Sequence, residues 1–180
     1  ENHGACYARN YGAERSDGEL IAFLDSDDYF LPKKLEEQIA CFDADPQLDM
    51  VICGWQVINQ QGEKLSDSEI WQYAPELNLE TAVLYKPARP SATMIRRQWC
   101  EQVDGFSLEY AIAQDLDFLL NVMLKGCRAT WLRQIQVCYR QHSSSLMSSG
   151  YKLLQDTELV MERFFKQPHL PLKIQQLRQQ

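Results

Sequence analysis

The sequence predicts an α/β fold, a layered sheet of mixed strand direction flanked by helices. Three observations predict it. Strand-like and helix-like segments alternate; a short apolar run, Leu20-Ile21-Ala22-Phe23-Leu24, ends in Asp25, Asp27 and Asp28; and a Gln61-Gly62 turn joins two strand-like stretches as a hairpin. Alternation favours a layered α/β sheet over an all-α or all-β fold, and the hairpin makes the sheet mixed rather than purely parallel.

Taken in order, residues 4–15 are Ala-rich and helix-prone, and Asp17-Gly18 turns the chain into the apolar run. That run has no polar interruption, so it reads as a strand buried on both faces. Its carboxylates then fall at the carboxyl end, the edge where open α/β sheets bind ligands. Pro32 opens a second helix, in which Leu35, Ile39 and Phe42 recur at helical spacing until Asp45-Pro46 stops it. Met50-Val51-Ile52-Cys53, continuing to Ile58, is a second strand, with Lys64-Leu65 as its hairpin partner. Residues 66–90 mix acids with Trp71, Tyr73, a helix over Leu79 to Tyr85 and the breakers Pro87 and Pro90, and read as a variable surface segment. Residues 92–96 form a short strand, Val103-Asp104-Gly105-Phe106 makes a tight turn, and a helix runs from Asp115 to a glycine stop at Gly126. Residues 131–139 are another strand, Arg140 to Ser145 a polar loop, and 151–165 a further helix before Pro168 and Pro171. There are no repeats.

A chain of 180 residues with 45% apolar content suits one substantial core. The net charge of −7 and pI near 5.0 exclude a nucleic-acid partner attracted by a basic field, so a bound diphosphate must be held locally by a metal or a few basic groups. The six cysteines show no C-x-x-C spacing, so neither a zinc site nor a disulfide framework is signalled, and most are expected reduced and buried. No apolar run approaches the ~20 residues of a membrane span, and the first residues lack a signal-peptide pattern. Glu1 is not methionine and motif-like sequence begins almost at once, so the chain reads as a fragment.

Three groups of residues carry candidate chemistry. Asp25, Asp27 and Asp28 repel one another and call for a cation, and hard oxygen ligands suit magnesium, calcium or manganese. The plain alternative is that they cap the following helix. Asp115, with Gln114 and Asp117, begins a helix where a carboxylate either caps free N–H groups or acts as a general base at the rim of the sheet. Arg140 and His142 sit in a polar loop; solvation alone explains them, or His142 supplies a nitrogen ligand while Arg140 neutralises or buttresses the acids. Arg9 and Asn10 precede the acids, and Arg9 could hold a phosphate or be an ordinary surface arginine.

The order of these residues resembles the family 2 glycosyltransferases. The resemblance runs through N-x-G-x-x-x-A-R-N-x-G at Asn2 to Gly12, Leu24-Asp25-Ser26-Asp27-Asp28, Pro32 and Leu35, Asp104-Gly105-Phe106, Gln114-Asp115, and Tyr139-Arg140-Gln141-His142. It implies a GT-A fold, the Rossmann-like nucleotide-sugar-binding α/β sheet, spanning residues 1–145 with a C-terminal helical extension at 146–180. It also implies that the family's first strand region would precede Glu1. The D-x-D motif then falls on Asp25 and Asp27, with Asp27 the direct ligand of Mn2+ or Mg2+, Asp25 toward the ribose or the metal, and His142 at a diphosphate or metal contact. Asp115 takes the place of the catalytic base, Arg9, Asn10 and Arg140 lie along the nucleotide site, and the Gly105-Phe106 turn shapes the acceptor side. Gln114 stands where the family has glutamate, which removes a supporting charge.

The implied reaction is inverting transfer of a sugar from a nucleotide-diphosphate sugar, first of all a UDP-sugar, to a saccharide or lipid-linked acceptor hydroxyl. Bacterial surface polysaccharide synthesis in the cytoplasm, or at the inner face of the membrane by peripheral association, is the expected setting. An aspartyl-phosphate phosphotransferase fits less well, because Tyr29-Phe30-Leu31 follows the acids where a small hydroxyl residue would be wanted. A calcium loop fails at the same residues. The non-enzyme alternative is an inactive nucleotide-sugar-binding fragment.

Overall fold

The structure, a computed structural model, describes residues 3–142 and 150–179; Asn2 of the first motif, Ser143 to Ser145 and the expected boundary at 145/146 lie outside them. The expected alternation is present. Helix α1 (Gly4–Arg15) leads to β1 (Leu20–Ala22), β2 (Tyr29–Phe30), α2 (Lys34–Ala44), β3 (Met50–Ile58) and β4 (Lys64–Ser68). Then come α3 (Leu79–Tyr85), β5 (Thr93–Arg96), α4 (Arg97–Gln102), α5 (Gln114–Leu124), β6 (Ala129–Arg140), α6 (Gly150–Phe165) and α7 (Leu172–Gln176).

The strands form one sheet in the order β1-β5-β3-β6-β2, with β4 added to β3. The pair β3 and β6 is parallel and the other pairs are antiparallel, so the sheet is mixed as expected. Strand β3 is central because Met50 to Cys53 form an uninterrupted apolar run, and all four side chains are fully buried. Glycine is required at position 54: a Cβ there would lie 2.6 Å from the Trp71 ring. All six cysteines are free, and all but Cys41 are buried.

Three expectations are corrected. The acidic run is not a strand buried on both faces: β1 is three residues long, only Ile21 in it is buried, and Leu24 is exposed. Among the described residues β1 pairs with β5 alone, and Phe23 leaves it to pack edge-on against Phe106, at 5.1 Å between ring centroids. Helix α2 turns a different face inward. Leu35 and Ile39 are exposed, while Lys34, Gln38 and Phe42 are buried. Gln38 decides that rotation by donating through Nε2 to Val51 O (3.1 Å) and Ala92 O (3.0 Å). Residues 66–90 are not a variable surface segment. Ile70, Ala74, Leu77, Ala82, Val83 and Ala88 all enter the core, and Trp131 Nε1 donates to Ala74 O. Their apolar residues sit on several short pieces with no shared period, so sequence pattern alone conceals the burial.

Candidate functional site

A groove of about 770 Å³ opens between α1, the acidic turn after β1, the turn before β5, the start of α5 and the end of β6. Arg9, Asp25, Asp27, Arg89, Asp115 and His142 all stand on its wall.

The acidic turn is folded by its third carboxylate. Asp28 Oδ2 accepts from Ser91 Oγ (2.6 Å), its Oδ1 accepts from the Arg140 amide (2.9 Å), and Ser91 Oγ in turn accepts from the Asp25 amide (3.1 Å). These contacts tie the turn to the sheet on either side. Burial pushes the Asp28 carboxyl above its ordinary pKa, against the hydrogen bonds from Ser91 and Arg140. Asp28 is therefore a structural member of the turn, and the two other acids are left to face the groove.

Asp25 is held by Arg9, whose Nε (3.1 Å) and Nη2 (2.5 Å) both donate to its Oδ1. The Phe106 ring supports the Arg9 guanidinium at 5.4 Å. Asp27 Oδ2 lies 3.0 Å from His142 Nε2. Arg140 buttresses the turn: its Nε donates to Asp27 O, and its Nη1 to the carbonyls of Asn59 and Gln60. Asn10 stands off the groove wall. Its amide is committed to the Phe106 backbone, accepting from N and donating to O at 2.8 Å each, and so latches α1 to the Gly105 turn. Phe106 is 3% exposed and stacks on Phe118, and the Gly105-Phe106 turn lines a second cavity of about 480 Å³ beside α1.

Asp115 occupies the first turn of α5, where its Oδ1 accepts from the Leu116 amide at 2.8 Å. Burial raises the pKa of its carboxyl, while Arg89, that amide and Arg9 act against the rise. A base with a raised pKa accepts a proton more readily at neutral pH. The loop before it is clamped by α6: Asp156 Oδ2 accepts from the amides of Ala111 and Ile112, both at 2.8 Å. Gln114 is buried with its Oε1 unpartnered, and Asp117 stands off the groove wall.

The expected metal set of Asp25, Asp27 and His142 is only partly brought together. Among the described residues no group of three metal-ligating side chains converges, because Asp25 is bound to Arg9. Asp27 and His142 do meet, and a divalent ion that completes its shell with substrate phosphate and water needs no more than one or two protein ligands. The residue that sequence reasoning missed is Arg89, hidden in the segment taken for surface; A-R-P carries no motif that marks it.

The mixed sheet flanked by helices has the fold of the GT-A glycosyltransferases. S. aureus TarS (residues 1–349) in complex with UDP-GlcNAc matches with a TM-score of 0.69 at 21% identity, over 93% of this chain and 49% of that one. A mannosyltransferase from Pyrobaculum calidifontis in complex with GDP-Man and Mn2+ matches at 0.66 and 15% identity, over 95% of this chain and 46% of that one. Residues 1–104 match Glycosyl transferase family 2, and the chain belongs to that family. TuaG of Bacillus subtilis, a glycosyltransferase named for teichuronic acid biosynthesis, is 30% identical over 89% of this chain and 62% of its own length. The Escherichia coli UDP-Glc:alpha-D-GlcNAc-diphosphoundecaprenol beta-1,3-glucosyltransferase WfaP is 27% identical over 84% of this chain and 57% of its own. The chain thus spans less than two thirds of the length of these relatives.

Proposed function

We propose that this chain carries the catalytic groove of an inverting glycosyltransferase that moves a sugar from a nucleotide-diphosphate sugar to an acceptor hydroxyl. The observation that supports it is the meeting of Asp27, His142 and Asp115 on one groove. Asp115 removes the acceptor proton as the hydroxyl oxygen bonds to the anomeric carbon, and the bond from that carbon to the diphosphate oxygen breaks on the opposite face. Mn2+ or Mg2+ held by Asp27 and His142 supplies, when bound, charge neutralisation for the leaving diphosphate. Arg9 holds Asp25 in one orientation toward the nucleotide, and Arg140 fixes the Asp27 backbone. This is catalysis by positioning and electrostatics.

UDP is the first donor to test, because WfaP is named for UDP-Glc and the TarS complex holds UDP-GlcNAc. A saccharide or lipid-linked saccharide as acceptor, in polysaccharide assembly, agrees with the names of TuaG and WfaP. Among the described residues no helix is long and apolar enough to cross a membrane. Calorimetric titration of UDP with and without Mn2+ tests the reading. Binding is expected to require the ion and to be lost in Asp27→Ala; UDP binding that ignores both rejects it. Ion-dependent binding with no transfer from any nucleotide sugar would instead make the chain a nucleotide-sugar-binding module.

A further inference from the structure

The two arginines on the groove wall are unlike. Arg9 donates twice to Asp25. Arg89 makes no side-chain hydrogen bond and no ion pair with any described residue, and its Nε is buried and unpartnered. Its main chain is nevertheless fixed: Arg89 O accepts from Thr93 Oγ1 (2.9 Å) and the Ala92 amide (3.0 Å), between buried Ala88 and Pro90. The guanidinium lies over the rings of Tyr139 (4.7 Å) and Trp55 (5.6 Å), which fix its plane. Arg89 stands on the groove wall, and its terminal nitrogens hydrogen-bond to no described residue. Gln114 on the same wall is neutral, and the carboxylate that Arg89 acts on, Asp115, makes no ion pair with it. A planar fork of donors, held in orientation by aromatic faces, close enough to Asp115 to lower its pKa yet hydrogen-bonded to no protein carboxylate, matches a phosphate or carboxylate in bidentate fashion.

Position along the groove says which substrate carries that anion. Asp27 and His142 mark the diphosphate end, whereas Arg89 stands with Asp115, and the two also share a small cleft behind the groove lined by Pro90 and Phe118. A base touches the acceptor. Resting on the glycosyl-transfer reading above, we infer that Arg89 binds an oxyanion carried by the acceptor sugar, so that the preferred acceptor bears a phosphate or a carboxylate near its reacting hydroxyl. An uncharged sugar would leave the guanidinium unpaired at the groove wall, which supplies discrimination as well as affinity.

The test is a titration of the 15N-labelled chain, in UDP and diamagnetic Mg2+, with glucose 1-phosphate, glucuronate or methyl glucoside, following the Arg89 side-chain Nε–H signal assigned by its loss in Arg89→Lys. One or both anionic sugars are expected to shift it and methyl glucoside to leave it in place; which anion responds separates a phosphate from a carboxylate source. Arg89→Met is expected to weaken the responding sugar at least about tenfold, the scale of one charge-assisted bidentate contact, and UDP less than about twofold. An Arg89 signal silent to both anions, an equal response to methyl glucoside, or an equal loss of UDP binding in Arg89→Met overturns the inference, the last by moving Arg89 to the donor diphosphate. The UDP titration in the same samples reads the parent proposal separately: if UDP binds and Arg89 is silent, the acceptor inference alone fails, and if UDP does not bind, both fail. Should Arg89→Met not fold, the signal in the unsubstituted chain still decides.

Discussion

Replacing Asn10 with alanine tests whether the A-R-N motif is a latch as well as a site element. The side chain makes two 2.8 Å hydrogen bonds to the backbone of Phe106, 96 residues away, and Phe106 is almost fully buried. Two lost bonds at about 1 kcal/mol each, with a further 1–2 kcal/mol for stranding the Phe106 N–H, give about 3–4 kcal/mol. For a domain of this size that lowers Tm by about 6–16 °C. Urea unfolding read by tryptophan fluorescence measures it. Gly105 sharpens the test. Its φ is +71°, and a Cβ there would lie 2.4 Å from Asn10 Oδ1. Gly105→Ala alone therefore meets both a steric clash and an unfavourable backbone, whereas in the Asn10→Ala background only the backbone cost of about 1–2 kcal/mol remains. The two changes should be non-additive by about 1 kcal/mol or more. Additivity within about 0.5 kcal/mol, or an Asn10→Ala cost below about 1 kcal/mol, would refute the latch.

Two further predictions follow from charge. Asp115→Asn should lower transfer by about 10²–10⁴-fold while UDP and Mn2+ binding stay unchanged in calorimetry. Because burial raises the Asp115 pKa, the native state holds that proton more tightly than the unfolded chain, so wild-type stability falls as pH rises from the unfolded value through the folded one. Asp115→Asn should accordingly be the more stable protein at pH 7, with the gain vanishing in acid; a loss of stability at pH 7 contradicts the assignment. Lys34 works in the opposite sense, since burial lowers its pKa from 10.5 to about 8, and its Nζ lies 3.9 Å over the Phe30 ring with no hydrogen-bond partner among the described residues. Native Lys34 releases its proton first, so stability rises between about pH 8 and 10.5. Lys34→Met should stabilise by up to roughly 3 kcal/mol at pH 7 and by much less at pH 10.5, measured by urea unfolding at both.

Wherever neighbouring residues decided the outcome, the sequence was readable. The Ala-rich start of α1, the hairpin at Gln61-Gly62, the glycine stop of α5 and the acids at the end of β1 each depend on contacts within a few positions. Periodicity failed where one partner lay far away. In α2 the apolar spacing pointed to Leu35, Ile39 and Phe42, yet Gln38 found carbonyls on β3 and beside β5, so the helix buried Lys34 and Gln38 and left two apolar residues exposed. The same holds for residues 66–90, whose core side chains share no single face.

By itself the sequence determined the kind of sheet, the family, and the carboxylates and histidine at the candidate site, because those are carried by residue type and short spacing. Only the tertiary structure decided what each one does. Arg9 meets Asp25 across 16 residues, Asp27 meets His142 across 115, Asp28 meets the Arg140 amide across 112, and Arg89 is set between Trp55 and Tyr139. The physical reason is that a side chain's charge, burial and available lone pairs depend on the groups that folding brings beside it. Three aspartates within four positions that look alike in the chain thus become an arginine's partner, a histidine's partner and a buried brace.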